Sequence, residues 1–327
     1  MSDTGLALST PEPLERKNPG TEFPAVLTRA GTAACFAADE FFRARLSNPH
    51  TRRAYARHVS RFLTWCEDQA LELRQVSPGL AGRFIDQLPG GAPSKNQALA
   101  GLRHFFDALV ARHAVIINPF QSVRRIRYPA GEGRTPEASV DQARQLLASI
   151  QTNHVFGLRD RAVLGTLIYT GARVGAVSRL RFQDLRDNGN YRSLQFAEKG
   201  GKVREIPVRI DLDEWIAAYI ERAGLTEAPK ASPLFRAGER RFSPLTERPL
   251  SPRAVEDMLK RRLAEAGLPK ILSPHSFRVL VVTDLLSQNV PLEDVQYLAG
   301  HAQPRTTQIY DRRRRRVTRN LVERISV

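Results

Sequence analysis

A C-terminal stretch, 274–316, holds four residues whose types suit work on a single phosphate: His275, Arg278, His301 and Tyr310. His275 and Arg278 are three residues apart, so on a helix they share one face. A tyrosine set among cationic side chains is typical of a phenol that attacks an anionic group. The stretch therefore predicts a site at which a tyrosine attacks a phosphate.

Three predicted helical segments position these groups. Apolar residues within 279–286 can bury the helix that carries the histidine–arginine pair. Pro291 opens a second amphipathic segment, which Gly300 ends just before the second histidine. Pro304 begins a short third helix, which we expect to carry the tyrosine.

Cleavage of a phosphodiester without a metal needs a nucleophile, positive charge on the non-bridging oxygens and a proton for the leaving oxygen. Tyr310 would attack and form a covalent 3′-phosphotyrosine. Arg173 and Arg278 are permanently charged donors that can each hold phosphate through two hydrogen bonds. Lys199, in the turn of a predicted hairpin, can protonate the leaving 5′ oxygen.

The two histidines complete the predicted set. His301 can donate a hydrogen bond to a phosphate oxygen. The pKa of a free tyrosine is about 10. Cationic neighbours and a hydrogen bond from His275 would therefore have to favour the phenolate of Tyr310.

Composition points to a polyanionic partner. The 327 residues include 50 Lys and Arg against 34 Asp and Glu, a net charge of +16 that favours nucleic acid over the simpler alternative of an inert basic surface. The only cysteines, Cys35 and Cys66, have no CxxC spacing, and we expect no metal and no cofactor. No apolar run reaches membrane length and no secretion signal begins the chain, so we expect a cytoplasmic protein.

The chain length predicts two domains, and the patterns predict a mainly α fold with a small β-hairpin or sheet. We expect a disordered tail over 1–33 and a helical DNA-binding domain over 34–120. A basic linker over 121–138 then leads to a catalytic domain with a C-terminal tail, 139–327.

In the first domain, Thr51 is the predicted cap of a long helix, and further helices are expected near 78–88 and 95–114. In the second, Ser139 and Gln142 predict a capping box. Helices are expected over 140–150, 158–170, 212–223 and 253–266, and strands over 191–196 and 203–208. The predicted DNA contacts are basic residues on the first long helix, in the linker and in the hairpin turn: Arg52, Arg53, Arg57, Arg61, Arg124, Arg125, Arg127 and Lys202.

Five short motifs follow one another in a fixed order: Tyr169-Thr170-Gly171-Ala172-Arg173, Glu198-Lys199-Gly200-Gly201-Lys202, His275-Ser276-Phe277-Arg278, Leu298-Ala299-Gly300-His301 and Thr306-Thr307-Gln308-Ile309-Tyr310. Together they resemble the tyrosine recombinase (phage integrase) family. The resemblance covers the chain from about Ala34 onward. It implies a helical, SAM-like core-binding domain followed by a mixed α/β catalytic domain.

The resemblance also implies the roles and the partners. Arg173, Lys199, His275, Arg278, His301 and Tyr310 occupy the positions of the family's catalytic residues. The implied partner is double-stranded DNA with inverted-repeat core sites, which a homotetramer recombines through a Holliday junction without ATP or a metal. Two departures stand out, since Ala176 replaces a frequent acid and Val279 a frequent histidine. We expect Ala176 to loosen the support of an active-site residue, with Asp184 a poor substitute.

Two other functions fit part of this pattern. A type IB topoisomerase uses a very similar set of side chains and would relax supercoils without strand exchange. A catalytically silent DNA-binding accessory protein would form no covalent adduct.

The segment after the tyrosine carries a narrow apolar stripe of Val317, Leu321 and Ile325. The resemblance favours burial of this stripe in a neighbouring protomer. Packing against its own domain is the alternative.

Overall fold

The structure, a computed structural model, describes residues 24–128, 135–197, 203–239, 244–301 and 303–310. The predicted C-terminal stripe lies outside these ranges. The chain divides into two compact units, Met1–Pro129 and Ala130–Val327. Both units are mainly helical, with small antiparallel sheets in the second, which confirms the predicted fold class. In the ranges described, none of the helices is long and apolar enough to cross a membrane.

The N-terminal unit is a helical bundle with an aromatic core. Its helices are α1 (Ala25–Arg29), α2 (Thr32–Glu40), α3 (Pro49–Asp68), α4 (Pro78–Gln87) and α5 (Ala92–Ala111), with a π-helical turn at Phe41–Arg45 and a 3-10 turn at Leu73–Gln75. The ring of Phe62 on α3 lies edge-on to those of Phe84, Phe106 and Phe120, at centroid distances of 5.0, 5.7 and 5.1 Å. Such edge-to-face pairs add to the burial energy and fix α3 against α4 and α5.

Folded structure begins earlier than predicted. Residues 1–33 were predicted to form a disordered tail, whereas α1 and the start of α2 lie within this range, and Val26 and Leu27 on α1 are buried. The backbone N–H of Val26 donates to the Glu67 carboxylate (3.1 Å), which ties α1 to the end of α3. A five-residue helix is too short to show a helical period, so only its tertiary contacts reveal it.

The cap of α3 was predicted wrongly. Asn48, not Thr51, is the N-cap, and its side chain accepts hydrogen bonds from the backbone N–H groups of His50 (2.9 Å) and Thr51 (3.4 Å). Pro49 occupies the first helical position, where a missing N–H costs no hydrogen bond. The helix therefore begins three residues earlier than a cap at Thr51 would allow.

The described part of the C-terminal unit contains eight α-helices and two small antiparallel sheets. Its helices are α6 (Val140–Ser149), α7 (Val155–Thr170), α8 (Val174–Val177), α9 (Ile210–Arg222), α10 (Pro252–Glu265), α11 (Pro274–Ser287), α12 (Leu292–Ala299) and α13 (Pro304–Gln308). Strands β1 (Leu185–Asp187), β2 (Arg192–Ala197) and β3 (Val203–Pro207) form one antiparallel sheet in that order, and β4 (Arg236–Gly238) pairs with β5 (Leu245–Pro249). The predicted β2–β3 hairpin is confirmed. The short strands β1, β4 and β5 were missed.

Helix α7 is the central element of this unit. It is buried on nearly all sides and packs against α9 and α11. Gly165 permits the close approach of α9, because a Cβ there would lie 2.9 Å from the Trp215 ring. The predicted capping box at the start of α6 is confirmed, with hydrogen bonds of 3.1 and 2.9 Å between Ser139 and Gln142.

A buried ionic cluster holds the start of α7 against α10. Asp160 is fully buried, and its carboxylate accepts hydrogen bonds from Arg159 (2.8 Å), Arg261 (3.0 Å) and Arg262 (2.8 Å). No local sequence pattern predicts this cluster, because Arg261 and Arg262 are 101 and 102 residues from the acid along the chain. The cluster fixes the N-terminal half of α7, and the C-terminal end of α7 leads to Arg173.

We predict that Asp160→Asn lowers the free energy of unfolding by roughly 3 kcal/mol, since it removes the buried charge that Arg159 and Arg262 share. Urea denaturation would measure this loss. The matched control is Asp141→Asn, because Asp141 is an exposed acid that pairs with Arg144 at 3.5 Å. Equal stability of the two variants would show that the cluster contributes nothing to folding.

Candidate active site

Arg173 is positioned by a left-handed turn. Gly171 ends α7 with φ 57°, and Arg173 follows as the N-cap of α8. The arginine is exposed, and its two terminal nitrogens each donate to the carbonyl oxygen of Gly300 at 3.3 Å. Gly300 ends α12, so this contact joins segments that are 127 residues apart.

Helix α11 carries the histidine–arginine pair. Arg278 is 3 % exposed, and its Nη1 donates to the carbonyl oxygen of Gly171 at 2.6 Å. That carbonyl follows the last turn of α7, where backbone oxygens lack helical partners. Arg278 is thereby held against the turn that positions Arg173. His275 lies in the first turn of α11 and is exposed.

His301 is packed against the candidate nucleophile. Its ring stacks with that of Tyr310 at a centroid distance of 6.2 Å and an interplanar angle of 15°. Its Nδ1 lies 2.9 Å from the hydroxyl of Thr307, which is fully buried on α13. Tyr310 is half-buried and lies just beyond α13 rather than on it, since the helix ends at Gln308. Its backbone N–H donates to the Thr307 carbonyl (3.0 Å), so Thr307 contacts both groups.

The surroundings of the two histidines favour their neutral forms. Burial lowers the pKa of His301 to about 3, and the charges of Arg278 and Arg173 act in the same direction. Desolvation also lowers the pKa of His275, again assisted by Arg278 and Arg173. A neutral His301 that accepts the Thr307 hydroxyl hydrogen at Nδ1 presents its Nε2–H as a donor. Both imidazoles therefore lie in one basic site whose surroundings lower their pKa values.

The structure brings together the predicted catalytic residues that lie in its described part. Contacts connect Arg173, Arg278, His301 and Tyr310, and the electrostatic influence of the two arginines reaches His275. Lys199 and Lys202 lie outside the described residues. The hairpin that leads to them is described as far as the cross-strand pair Ala197–Val203.

The two departures from the family pattern are buried apolar positions. Ala176 on α8 is 8 % exposed and packs in the core of the unit, and Val279 is 5 % exposed. The carboxylate of Asp184 accepts a hydrogen bond from the backbone N–H of Arg181 (2.8 Å) in a local 3-10 turn. Asp184 therefore stabilises the 3-10 turn in which it lies. The looser support expected from Ala176 stays a prediction.

Two residues in contact with this cluster were missed by the sequence analysis. Thr307 stood inside a recognised motif, and its spacing from His301 was an available signal. Arg204 lies on β3 with its side chain buried, and its Nη1 donates to the carbonyl oxygen of Leu298. The only signal for Arg204 was its place beside Val203 in a strand whose alternate residues, Arg204 and Ile206, face inward.

The predicted DNA contacts that the structure describes are mostly exposed. Arg53, Arg57 and Arg61 are exposed on α3, as are the linker residues Arg124, Arg125 and Arg127. Arg52 differs, because its Nε and Nη2 donate to the Leu46 carbonyl oxygen at 3.1 and 2.6 Å. Its guanidinium therefore supports the backbone before α3, a use that the sequence analysis did not foresee.

Comparison with known families identifies the chain. The phage integrase family model matches residues 138–316, and the model of the phage integrase N-terminal SAM-like domain matches 39–113. The chain belongs to the phage integrase family of tyrosine recombinases. Tyrosine recombinase XerC 2 of Ralstonia nicotianae is 30 % identical over 276 residues, which cover 80 % of this chain and 76 % of that protein.

Solved recombinase structures share the fold of this recombinase. The XerH site-specific recombinase bound to palindromic difH substrate, in a post-cleavage complex, aligns with a TM-score of 0.67 at 15 % identity and covers 91 % of this chain and 88 % of its own. A lambda integrase tetramer bound to a Holliday junction aligns with a TM-score of 0.61 at 16 % identity, and the alignment covers 92 % of this chain and 84 % of that chain. The family matches favour site-specific breakage and rejoining of DNA over the topoisomerase and accessory-protein alternatives.

Proposed function

We propose that this recombinase cleaves DNA by attack of the Tyr310 phenol on a scissile phosphate, which leaves a 3′-phosphotyrosine and a 5′ hydroxyl. The observation that carries the assignment is the position of His301. Its ring stacks on Tyr310, and it lies within the electrostatic influence of Arg173 and Arg278. One residue thus connects the nucleophile with the groups suited to bind the phosphate.

The cations lower the barrier by stabilising charge on the phosphate. Arg173 and Arg278 donate to the non-bridging oxygens, and the Nε2–H of His301 adds a third donor. The Gly171 carbonyl holds Arg278 in place before DNA binds, and the Thr307 hydroxyl does the same for His301. Little reorganisation is therefore needed as the charge shifts during attack. The gain over solution comes from this fixed arrangement.

The two proton transfers are assigned to different residues. Neutral His275 accepts the phenolic proton as the new bond between phosphorus and the Tyr310 oxygen forms. Lys199 gives a proton to the 5′ oxygen as its bond to phosphorus breaks. In the reverse direction a 5′ hydroxyl attacks the phosphotyrosine and returns the phenol. Each cut thus keeps the bond energy for rejoining, and no ATP is consumed.

We also propose the assembly that the sequence predicted: a homotetramer on double-stranded DNA with inverted-repeat core sites, which recombines through a Holliday junction. The support is the shared fold with a lambda integrase tetramer on such a junction and the net charge of +16. In this proposal 34–120 and 139–327 are the two DNA-binding domains and 121–138 joins them. The cytoplasmic location stays a prediction.

Mapping the covalent adduct tests the nucleophile directly. A nicked DNA site traps the adduct, because the short strand carrying the 5′ hydroxyl diffuses away. Trypsin then separates Tyr310 from the exposed Tyr297, since Arg305 lies between them. The proposal expects the DNA on the peptide that contains Tyr310. Attachment to the Tyr297 peptide would overturn it.

The linker gives a separate prediction about DNA affinity. Arg124, Arg125 and Arg127 are exposed, so each can neutralise one phosphate. Each lost phosphate contact makes the log–log dependence of affinity on salt shallower by about 0.9. Replacing all three by glutamine should therefore reduce the slope by about 2.7 if each contacts a phosphate, as measured by fluorescence anisotropy over a salt series.

The control for the linker variant removes three positive charges outside the linker. Arg29, Arg43 and Arg112 each pair with an acid, at 2.7, 2.7 and 2.8 Å. Their combined replacement by glutamine should leave the slope nearly unchanged. If the linker variant behaves like this control, the linker does not contact phosphate.

A further inference from the structure

Arg204 is a buried cation, and burial of a charge needs compensation. The residue is 3 % exposed. Its guanidinium carbon lies 5.2 Å from the ring centroid of Phe196, its cross-strand partner on β2. Its Nη1 donates to the carbonyl oxygen of Leu298 on α12. Arg204 therefore connects the three-stranded sheet with the end of the helix that precedes His301.

The end of α12 closes with a left-handed turn. Gly300 adopts φ 61°, the N–H of His301 donates to Gln296 O (3.1 Å), and the N–H of Gly300 donates to Tyr297 O (2.9 Å). This pairing satisfies two of the terminal carbonyls. Other carbonyls at this end still need donors, and their partial negative charge favours cations.

Two arginines from different elements supply those donors. Arg204 binds Leu298 O, and Arg173 binds Gly300 O at 3.3 Å. The backbone that leads into His301 is thus fixed by Arg204 on the sheet and by Arg173 at the start of α8. Arg173 is exposed, whereas Arg204 is buried. The hydrogen bond from Arg204 to the Leu298 carbonyl can therefore persist when DNA binds.

We infer that Arg204 is a positioning residue that sets the place of His301 in the site. The inference rests on the proposed function, since His301 acts on the phosphate only in that scheme. At 3 % exposure Arg204 does not reach DNA itself, so its effect must pass through the turn. Arginine suits the position because its planar group can stack on Phe196 and donate within the same plane, which a lysine cannot do.

A double-mutant cycle tests whether Arg204 acts through His301. Adduct formation is measured in single turnover at saturating DNA on a nicked site, together with DNA affinity and the urea midpoint. Arg204→Gln should slow adduct formation ~10-fold, because small misplacements of a catalytic group are costly. In a His301→Ala background the same change should cost less than about 2-fold, as expected for groups that act as a unit. DNA affinity should stay unchanged throughout.

Two companion variants separate positioning from folding. Arg204→Lys keeps the charge and should still lose most of the rate, and it supplies the measurement if the glutamine variant does not fold. Arg186→Gln is the matched control, because Arg186 is exposed on β1 of the same sheet and donates to Gln195 at 3.3 Å. It should leave the rate unchanged in both backgrounds.

Failure of the inference about Arg204 can be distinguished from failure of the proposed function. Equal costs of Arg204→Gln with and without His301, or no cost at all, would overturn the inference and leave the proposed function standing. If His301→Ala by itself leaves the rate unchanged, the proposed role of His301 is wrong and the inference fails with it.

Discussion

Tyr310→Phe should bind its DNA site with unchanged affinity and form no covalent adduct. The substitution removes one oxygen and leaves the ring that stacks on His301 at 6.2 Å, so the local packing is kept. The oxygen that is proposed to attack the phosphate is lost. A nicked substrate, analysed under denaturing conditions, measures the adduct, and a gel shift measures binding.

The matched control for this experiment is Tyr297→Phe. Tyr297 lies on α12 within the same C-terminal region and is 63 % exposed, so it is a chemically competent phenol outside the site. Its variant should form adduct at the normal rate. A denaturant-stable adduct with Tyr310→Phe would show that another residue is the nucleophile.

Arg278→Ala and Arg173→Ala should each slow adduct formation ~100-fold or more, by analogy with the loss of one oxyanion donor, while affinity changes far less. In the proposed mechanism both arginines donate most strongly when charge on the phosphate shifts during attack. Arg278 has a second effect, because its hydrogen bond to Gly171 O also holds the turn before Arg173. The double variant should therefore lose less than the product of the two single losses.

Arg179→Ala controls for the loss of charge alone, since Arg179 is exposed just beyond α8. It should leave single-turnover cleavage at saturating DNA unchanged. Parallel falls in affinity and cleavage for the Arg173 and Arg278 variants would make those residues DNA-positioning groups rather than part of the chemistry.

Local rules allowed much of the candidate site to be predicted. The three-residue spacing of His275 and Arg278 predicts a shared helix face, and α11 confirms the helix that carries both. Gly171 and Gly300 predict helix ends, and both adopt the left-handed conformation that glycine tolerates best. The β2–β3 hairpin follows from residue types over a short span. Each of these features depends on neighbours within a few positions.

Corrections arose where neighbours in space mattered more than neighbours in sequence. Helix α1 is too short for a periodic signal and depends on its contact with Glu67. Arg52 was predicted to contact DNA from its residue type, which stays a prediction; its position near the start of α3 directs its guanidinium to Leu46 O, a contact that no local pattern indicated. Strand β1 has three residues and no alternation, so its pairing with β2 decides its conformation.

By itself the sequence determined which side chains were available for the chemistry and which short segments carry them, because helix spacing, glycine turns and hairpin signals are local properties. Only the tertiary structure decided that Arg173 meets Gly300 across 127 residues and that Arg278 meets Gly171 across 107. It also made Arg204 a buried support for the turn before His301. Unpaired carbonyls at helix ends attract whichever cations the fold brings near them, and no local pattern specifies those partners.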